Sequence, residues 1–159
     1  MPVCGIREKV STVWSGSGFR PALADGGTNM LHVAAAIVRR KGEILICQRR
    51  PGGGCGGMWE FPGGKLEPGE TPAQCVIREC REELGVEISL KGLREQNSYQ
   101  YPDNEISFSF FEAELLAGDP CLRVHQAIAW RPPCRLTEYE FCPADRRLVR
   151  ELARQGREK

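Results

Sequence analysis

No apolar run in the sequence approaches the roughly 20 residues that a membrane span needs, which argues against a membrane partner. An apolar export signal is also lacking at the start, so a cytoplasmic location is expected. Neither sign of charge dominates: 22 Lys and Arg face 21 Asp and Glu, a formal net charge of +1. That balance gives no reason to expect a nucleic-acid polymer or an anionic surface as partner, so any phosphate chemistry must come from a local site. Histidine is scarce, with only His32 and His125, and the eight cysteines include no Cys-x-x-Cys pair. A zinc site and a disulfide framework are therefore not expected, and most of the thiols read as small core residues.

What is present is ordinary globular composition, 41% hydrophobic and 27% charged over 159 residues, enough for one domain with its own core. Residues 1–29 mix glycine with Ser and Thr without a sustained period, and an irregular extension is expected there, ahead of a single domain over 30–159. From Leu31 the punctuation becomes regular. Residues 31–38 and 43–48 read as a hairpin turning over Arg39 to Gly42, and 51–57 as a loop holding five glycines. Strands are expected at 86–90, 93–101, 105–116 and 128–131. In the third of these, Ile106, Phe108 and Phe110 alternate with Ser107 and Ser109. A last helix is expected to open at Pro143, with Ala144, Leu148 and Leu152 on its buried side. Strands thus dominate, with two helices to cover them, giving an α+β layered domain.

The clearest helix is 71–84. Thr71 suits the N-cap, Pro72 the first turn, Gln74 completes a capping box, and Gly85 suits the stop. Ala73, Ile77, Cys80 and Leu84 are the expected buried stripe. Glu79, Glu82 and Glu83 stand at i, i+3 and i+4, on one face. Such a cluster repels itself by a few tenths of a kcal/mol per pair, and Arg78 alone cannot neutralise it. A hard divalent cation can, because oxygen-rich clusters suit Mg²⁺, with Mn²⁺ able to substitute. Taken by itself, an acidic helix face is more often merely solvated.

The surrounding pattern decides otherwise. Gly64, five residues, Glu70, seven residues, then Arg78-Glu79-Cys80-Arg81-Glu82-Glu83-Leu84-Gly85 resembles the Nudix box. Seven identities at fixed spacing arise by chance at on the order of 10⁻⁸ per start position. Cys80 stands where the family has a bulky aliphatic residue, a change on the buried stripe that affects packing. Trp59 to Glu67, Ala34 to Ile37, Ile46 to Arg49, His125 to Trp130 and Pro143 to Asp145 resemble MutT-type enzymes, so the similarity covers about residues 31–152. The resemblance implies the Nudix fold, an α/β/α sandwich around a mixed sheet with a catalytic loop-helix-loop. It also implies hydrolysis of a small nucleotide to nucleoside monophosphate and pyrophosphate, by a monomer or dimer.

Residue by residue, the resemblance places the metal at the Gly64 carbonyl and at Glu79, Glu82 and Glu83, with Glu79 first choice as general base. It has Arg78 pairing with Glu70, Arg49 and Lys65 reaching phosphate oxygens, Tyr101 stacking the base and Asp145 reading the base edge. Many relatives carry a further metal-binding glutamate in the segment matching His125 to Trp130, where this chain has Ala127 and Ala129. Glu138 and Glu140 are the alternative acids. Asp145 also suits a helix's first turn on electrostatic grounds alone, and Tyr101 suits sheet packing. His125 and the arginines Arg146, Arg147, Arg150 and Arg154 read as structural or solvated. The glycine loop lacks the Gly-Lys-Ser/Thr ending of a P-loop. Within this family an 8-oxo-dGTP or CTP-type nucleoside triphosphate pyrophosphohydrolase is expected, an ADP-ribose or dinucleoside-polyphosphate hydrolase is the alternative, and a non-catalytic nucleotide sensor is the reading from another class.

Overall fold

In a computed structural model, residues 30–158 are described; the extension expected over 1–29 lies outside them. The chain forms β1 (Leu31–Arg40), β2 (Glu43–Gln48), β3 (Trp59–Glu60), β4 (Gly63–Lys65), helix α1 (Pro72–Leu84), β5 (Glu87–Gln100), β6 (Glu105–Ala117), β7 (Ala127–Arg131) and helix α2 (Arg146–Arg157). All seven strands join one mixed sheet in which β1 runs parallel to β6 and antiparallel to β2 and β4. The first hairpin is tighter than expected. β1 reaches Arg40, and Lys41 and Gly42 both take positive φ (48° and 80°), the two-residue geometry that matches strand twist.

Both faces of the sheet are covered. Ala34, Ala36, Val38, Leu45 and Cys47 pack against Val76, Cys80 and Leu84 of α1, while Ala35, Ile37, Ile44 and Ile46 pack with Phe61, Phe110, Leu148, Val149 and Leu152 on the α2 side. Burying each such Val, Leu, Ile or Phe side chain contributes about 1.5–3 kcal/mol. The result is the expected α/β/α sandwich.

Three expectations shift. The stretch expected as two strands, 86–90 and 93–101, is one strand, β5, with register shifts around Leu90, Gly92 and Leu93 where bulges bend it. The buried stripe of α1 runs through Cys75, Val76, Cys80 and Leu84, with Ala73 and Ile77 half-buried at its margin. A 3-10 turn spans Pro143–Asp145, so α2 opens at Arg146; Ala144, Leu148 and Leu152 are buried as expected. Among the described residues no helix is long and apolar enough to cross a membrane, and the cysteines are free, with Cys47, Cys75 and Cys80 fully buried.

Candidate active site

The amino-terminal end of α1 is built as its sequence requires. The Thr71 hydroxyl accepts from the Gln74 backbone N–H at 3.2 Å, and the Gln74 side chain accepts from the Thr71 N–H at 3.0 Å. At the other end Gly85 takes the left-handed conformation, φ 70°, and its N–H reaches the Arg81 carbonyl. Arg123 donates to the carbonyls of Arg81 and Glu82, at 3.2 and 3.1 Å, an end cap that only the fold supplies.

β4 lays its glycines beneath the helix. A Cβ on Gly63 would come within 2.0 Å of the Ala34 carbonyl oxygen, so glycine is what lets β4 pair with β1. A Cβ on Gly64 would meet Glu79 Oε1 at 2.6 Å, so the missing side chain leaves room for that carboxylate. The Gly64 carbonyl accepts from the Cys75 thiol at 3.4 Å.

Arg78 is the hub of the acidic face. It donates to both oxygens of Glu70, at 2.7 and 2.9 Å, to Glu79 at 2.8 Å and to Glu82 at 3.3 Å. The hydrogen bonds from Arg78 hold the Glu70 carboxyl down to about 2. Glu79 is pushed up, mainly by burial and against the pull of Arg78, while Glu83 is pushed up to about 9 by burial first and then by the charges of Glu79 and Glu60. Among the described residues no group of three His, Cys, Asp or Glu side chains stands in metal-ligand geometry, and Arg78 pairs with Glu79 at 2.8 Å and with Glu82 at 3.3 Å. The donor set nevertheless fits a hard cation. Partly buried carboxylates crowd together there, with the charges of Glu79 and Glu60 acting on Glu83, and carboxylate oxygens are what Mg²⁺ takes.

Glu60 was not singled out from the sequence, where it stands within the Trp59 to Glu67 segment that resembles MutT-type enzymes. In the sheet Trp59 and Phe61 face the α2 side, and Glu60 faces α1, which makes that side interior too. Its Oε2 accepts from Arg49 Nη1 at 2.9 Å, and its Oε1 lies 3.3 Å from His125 Nε2. His125 in turn stands 3.8 Å from Glu83 Oε2. Arg49 is thus half-buried against Glu60, its Nε lacking a hydrogen-bond partner. Lys65 is exposed, its ammonium pushed down by partial burial and by the Arg49 charge.

A cleft of about 610 Å³ opens next to this cluster, lined by Gly54, Cys55, Tyr99, Gln100, Tyr101, Pro102 and Pro143. Tyr101 stands on its wall in edge contact with Tyr99, centroids 4.8 Å apart. Asp145 is the N-cap residue of α2; it is 5% exposed and makes no capping hydrogen bond from its side chain. Burial, and then the Glu60 and Cys55 charges, push its carboxyl well above the usual range. Of the alternative acids, Glu138 pairs with Arg135 at 2.9 Å.

The NUDIX domain matches residues 28–152. A CTP pyrophosphohydrolase of Escherichia coli is 35% identical over 116 residues, 73% of this chain and 86% of that protein. An 8-oxo-dGTP diphosphatase of the same organism is 35% identical over 125 residues, 78% of this chain and 97% of that protein. The crystal structure of a MutT protein from Methanosarcina mazei, 24% identical, shares the fold with a TM-score of 0.70 over 84% of this chain and 100% of its own. Box, fold and relatives agree, and the chain belongs to the Nudix family of hydrolases.

Proposed function

We propose that this chain is a Mg²⁺-dependent nucleoside triphosphate pyrophosphohydrolase that releases nucleoside monophosphate and pyrophosphate, acting in nucleotide-pool sanitation on 8-oxo-dGTP or on CTP and modified dCTP. The observation that carries the reading is the meeting of the Glu79–Glu83 carboxylates with Arg49 beside a tyrosine-walled cleft. The names of the two relatives from Escherichia coli point the same way.

Glu79, Glu82, Glu83 and the Gly64 carbonyl would hold the cation. When bound, it supplies charge to offset that developing on the phosphate chain and makes water more acidic. Glu79 takes the proton of the attacking water. A carboxyl raised by burial suits that task, because a base works best near the ambient pH. The water oxygen bonds to a phosphorus of the chain while that phosphorus loses its bond to the bridging oxygen between the α- and β-phosphates, whose electron pair stays with the departing group. Arg78 orients Glu79 and Glu82. Arg49 and Lys65 steady the phosphate oxygens.

The base enters the cleft, where Tyr101 stacks on it and Asp145 reads its edge. Held neutral, Asp145 both donates and accepts, which suits an oxidised guanine; ionised, it accepts from the amino group of cytosine.

The test is pyrophosphate release from CTP, dCTP, 5-methyl-dCTP, dGTP, 8-oxo-dGTP and ADP-ribose, each with and without Mg²⁺. Release that needs Mg²⁺ and favours one triphosphate supports the reading. Turnover of ADP-ribose alone, or nucleotide binding without turnover, overturns it.

A further inference from the structure

β2 is flanked on its two edges by β3 and β7, and Cys47 is opposite Glu60 on one and Ile128 on the other. Residues directly opposite across paired strands point to the same face. Glu60 therefore faces α1 as Cys47 does. His125 precedes β7, and the next residue, Gln126, anchors that turn by donating its N–H to the Gln48 carbonyl at 2.8 Å. The imidazole is 6% exposed. Its Nδ1 is buried without a hydrogen-bond partner, so its polar contacts run through Nε2. That atom lies 3.3 Å from Glu60 Oε1 and 3.8 Å from Glu83 Oε2, the latter an electrostatic approach rather than a formed hydrogen bond. Glu60 Oε2 accepts from Arg49 at 2.9 Å. A line of polar contacts thus runs from Arg49 through Glu60 and His125 to Glu83, beside a strand whose Ala127 and Ala129 bring no acid.

We propose that Glu60 and His125 are positioning residues that hold the Glu83 carboxylate in place for a divalent cation and tie it to Arg49. The proposal rests on the reading of Glu83 as a cation ligand. A glutamate side chain gives up rotamer freedom when it is fixed, and a neighbour that fixes it beforehand removes that loss from binding. Groups that orient a metal's ligands are worth about 10–100-fold in affinity. The imidazole is packed on all sides and set between two carboxylates, so it meets the geometric requirement for that role.

Mn²⁺ titrated into the whole chain, with calorimetry as readout, tests this in wild type, His125→Leu, His125→Gln and Glu60→Leu. His125→Leu and Glu60→Leu should bind Mn²⁺ about 10-fold or more weakly. At saturating cation the kcat of His125→Leu should fall while its KM for the nucleotide stays within about twofold. His125→Gln, whose amide can place an N–H near Nε2, should recover most of the affinity. Wild-type affinity in both leucine variants overturns the proposal, as does a glutamine variant no better than leucine. If His125→Leu fails to fold, Glu60→Leu and His125→Gln decide: undiminished Mn²⁺ binding in the first overturns the proposal, and a tenfold loss with glutamine near wild type supports it. A wild type that binds Mn²⁺ but hydrolyses no nucleotide sinks the hydrolase reading, while the binding comparison still decides this one.

Discussion

The Arg78 guanidinium donates to both carboxylate oxygens of Glu70, at 2.7 and 2.9 Å, and so ties the loop after β4 to the acidic face of α1. Glu70 is held down to about 2 by those bonds, below its ordinary 4.5. A depressed carboxyl stabilises the fold above its unfolded pKa, and that stabilisation is lost as pH falls from about 4.5 towards 2. Glu70→Ala should lower unfolding free energy by about 2 kcal/mol at pH 7, and the gap should close by about pH 2. Urea unfolding at both pH values checks this; a gap that persists undiminished in acid contradicts it.

Glu82 has half of its side chain in solvent, so its replacement removes little packing. Glu82→Gln should leave the thermal midpoint within about 2 °C of wild type while lowering turnover at least about 100-fold. An active variant would remove Glu82 from the proposed cation site.

The two glycines of β4 should fail in different ways. A Cβ on Gly63 meets backbone, at 2.0 Å from the Ala34 oxygen and 2.6 Å from the Ala35 Cα, and neither can move without breaking the β1–β4 pairing. Gly63→Ala is expected to cost about 3 kcal/mol or more and to express poorly. A Cβ on Gly64 meets the mobile end of Glu79, so Gly64→Ala should keep the fold and lose activity. Circular dichroism paired with pyrophosphate release separates the two outcomes, and equal stability in both variants would argue against the backbone clash.

Asp145 works in the opposite pH direction from Glu70. Its carboxyl is raised by burial and by Glu60, so the folded state keeps a proton that the unfolded chain releases. Stability should therefore fall as pH rises above the ordinary aspartate value, at up to about 1.4 kcal/mol per pH unit from this group. Asp145→Asn should flatten that slope and gain stability at pH 8 relative to wild type. The same variant should change the ratio of kcat/KM between cytosine and oxidised-guanine substrates. Matching slopes in wild type and variant would put the buried acid's proton in doubt.

Cys55, on the cleft wall, is held below the usual thiol range by a hydrogen bond from the Cys142 thiol, helped by the Arg49 charge and opposed by burial. Alkylation of Cys55, followed by peptide mass spectrometry, should show a rate midpoint below that of an ordinary thiol, moving up in Cys142→Ala. A wild-type midpoint above about 8 would count against that hydrogen bond.

The parts legible beforehand are those governed by contacts within a turn or two of helix. Thr71, Gln74 and Gly85 delimit α1 through hydrogen bonds that span three to five residues, and the placement of Glu79, Glu82 and Glu83 on one face follows from helical period alone. Glu60 shows where that kind of reading stops. Period-2 alternation in Trp59-Glu60-Phe61 says only that the acid opposes the aromatics; whether that opposite face is water or interior depends on α1 packing there. Ser109 makes the same point, since it reads as an outward residue of β6 yet is 3% exposed, its hydroxyl accepting from Gln96.

What the sequence alone determined is the family, the α1 helix with its caps and the acidic face that α1 presents. Only the tertiary structure decided what faces those acids. It joined Glu60 of β3 to His125 ahead of β7, 65 positions apart in the chain, and it buried Asp145 where the chain enters α2, close to Pro143 of the cleft wall. The reason is physical: helix periodicity and capping act over a few residues, whereas strand partners and the coverage of both sheet faces are set by burial of the whole core, which no short window contains.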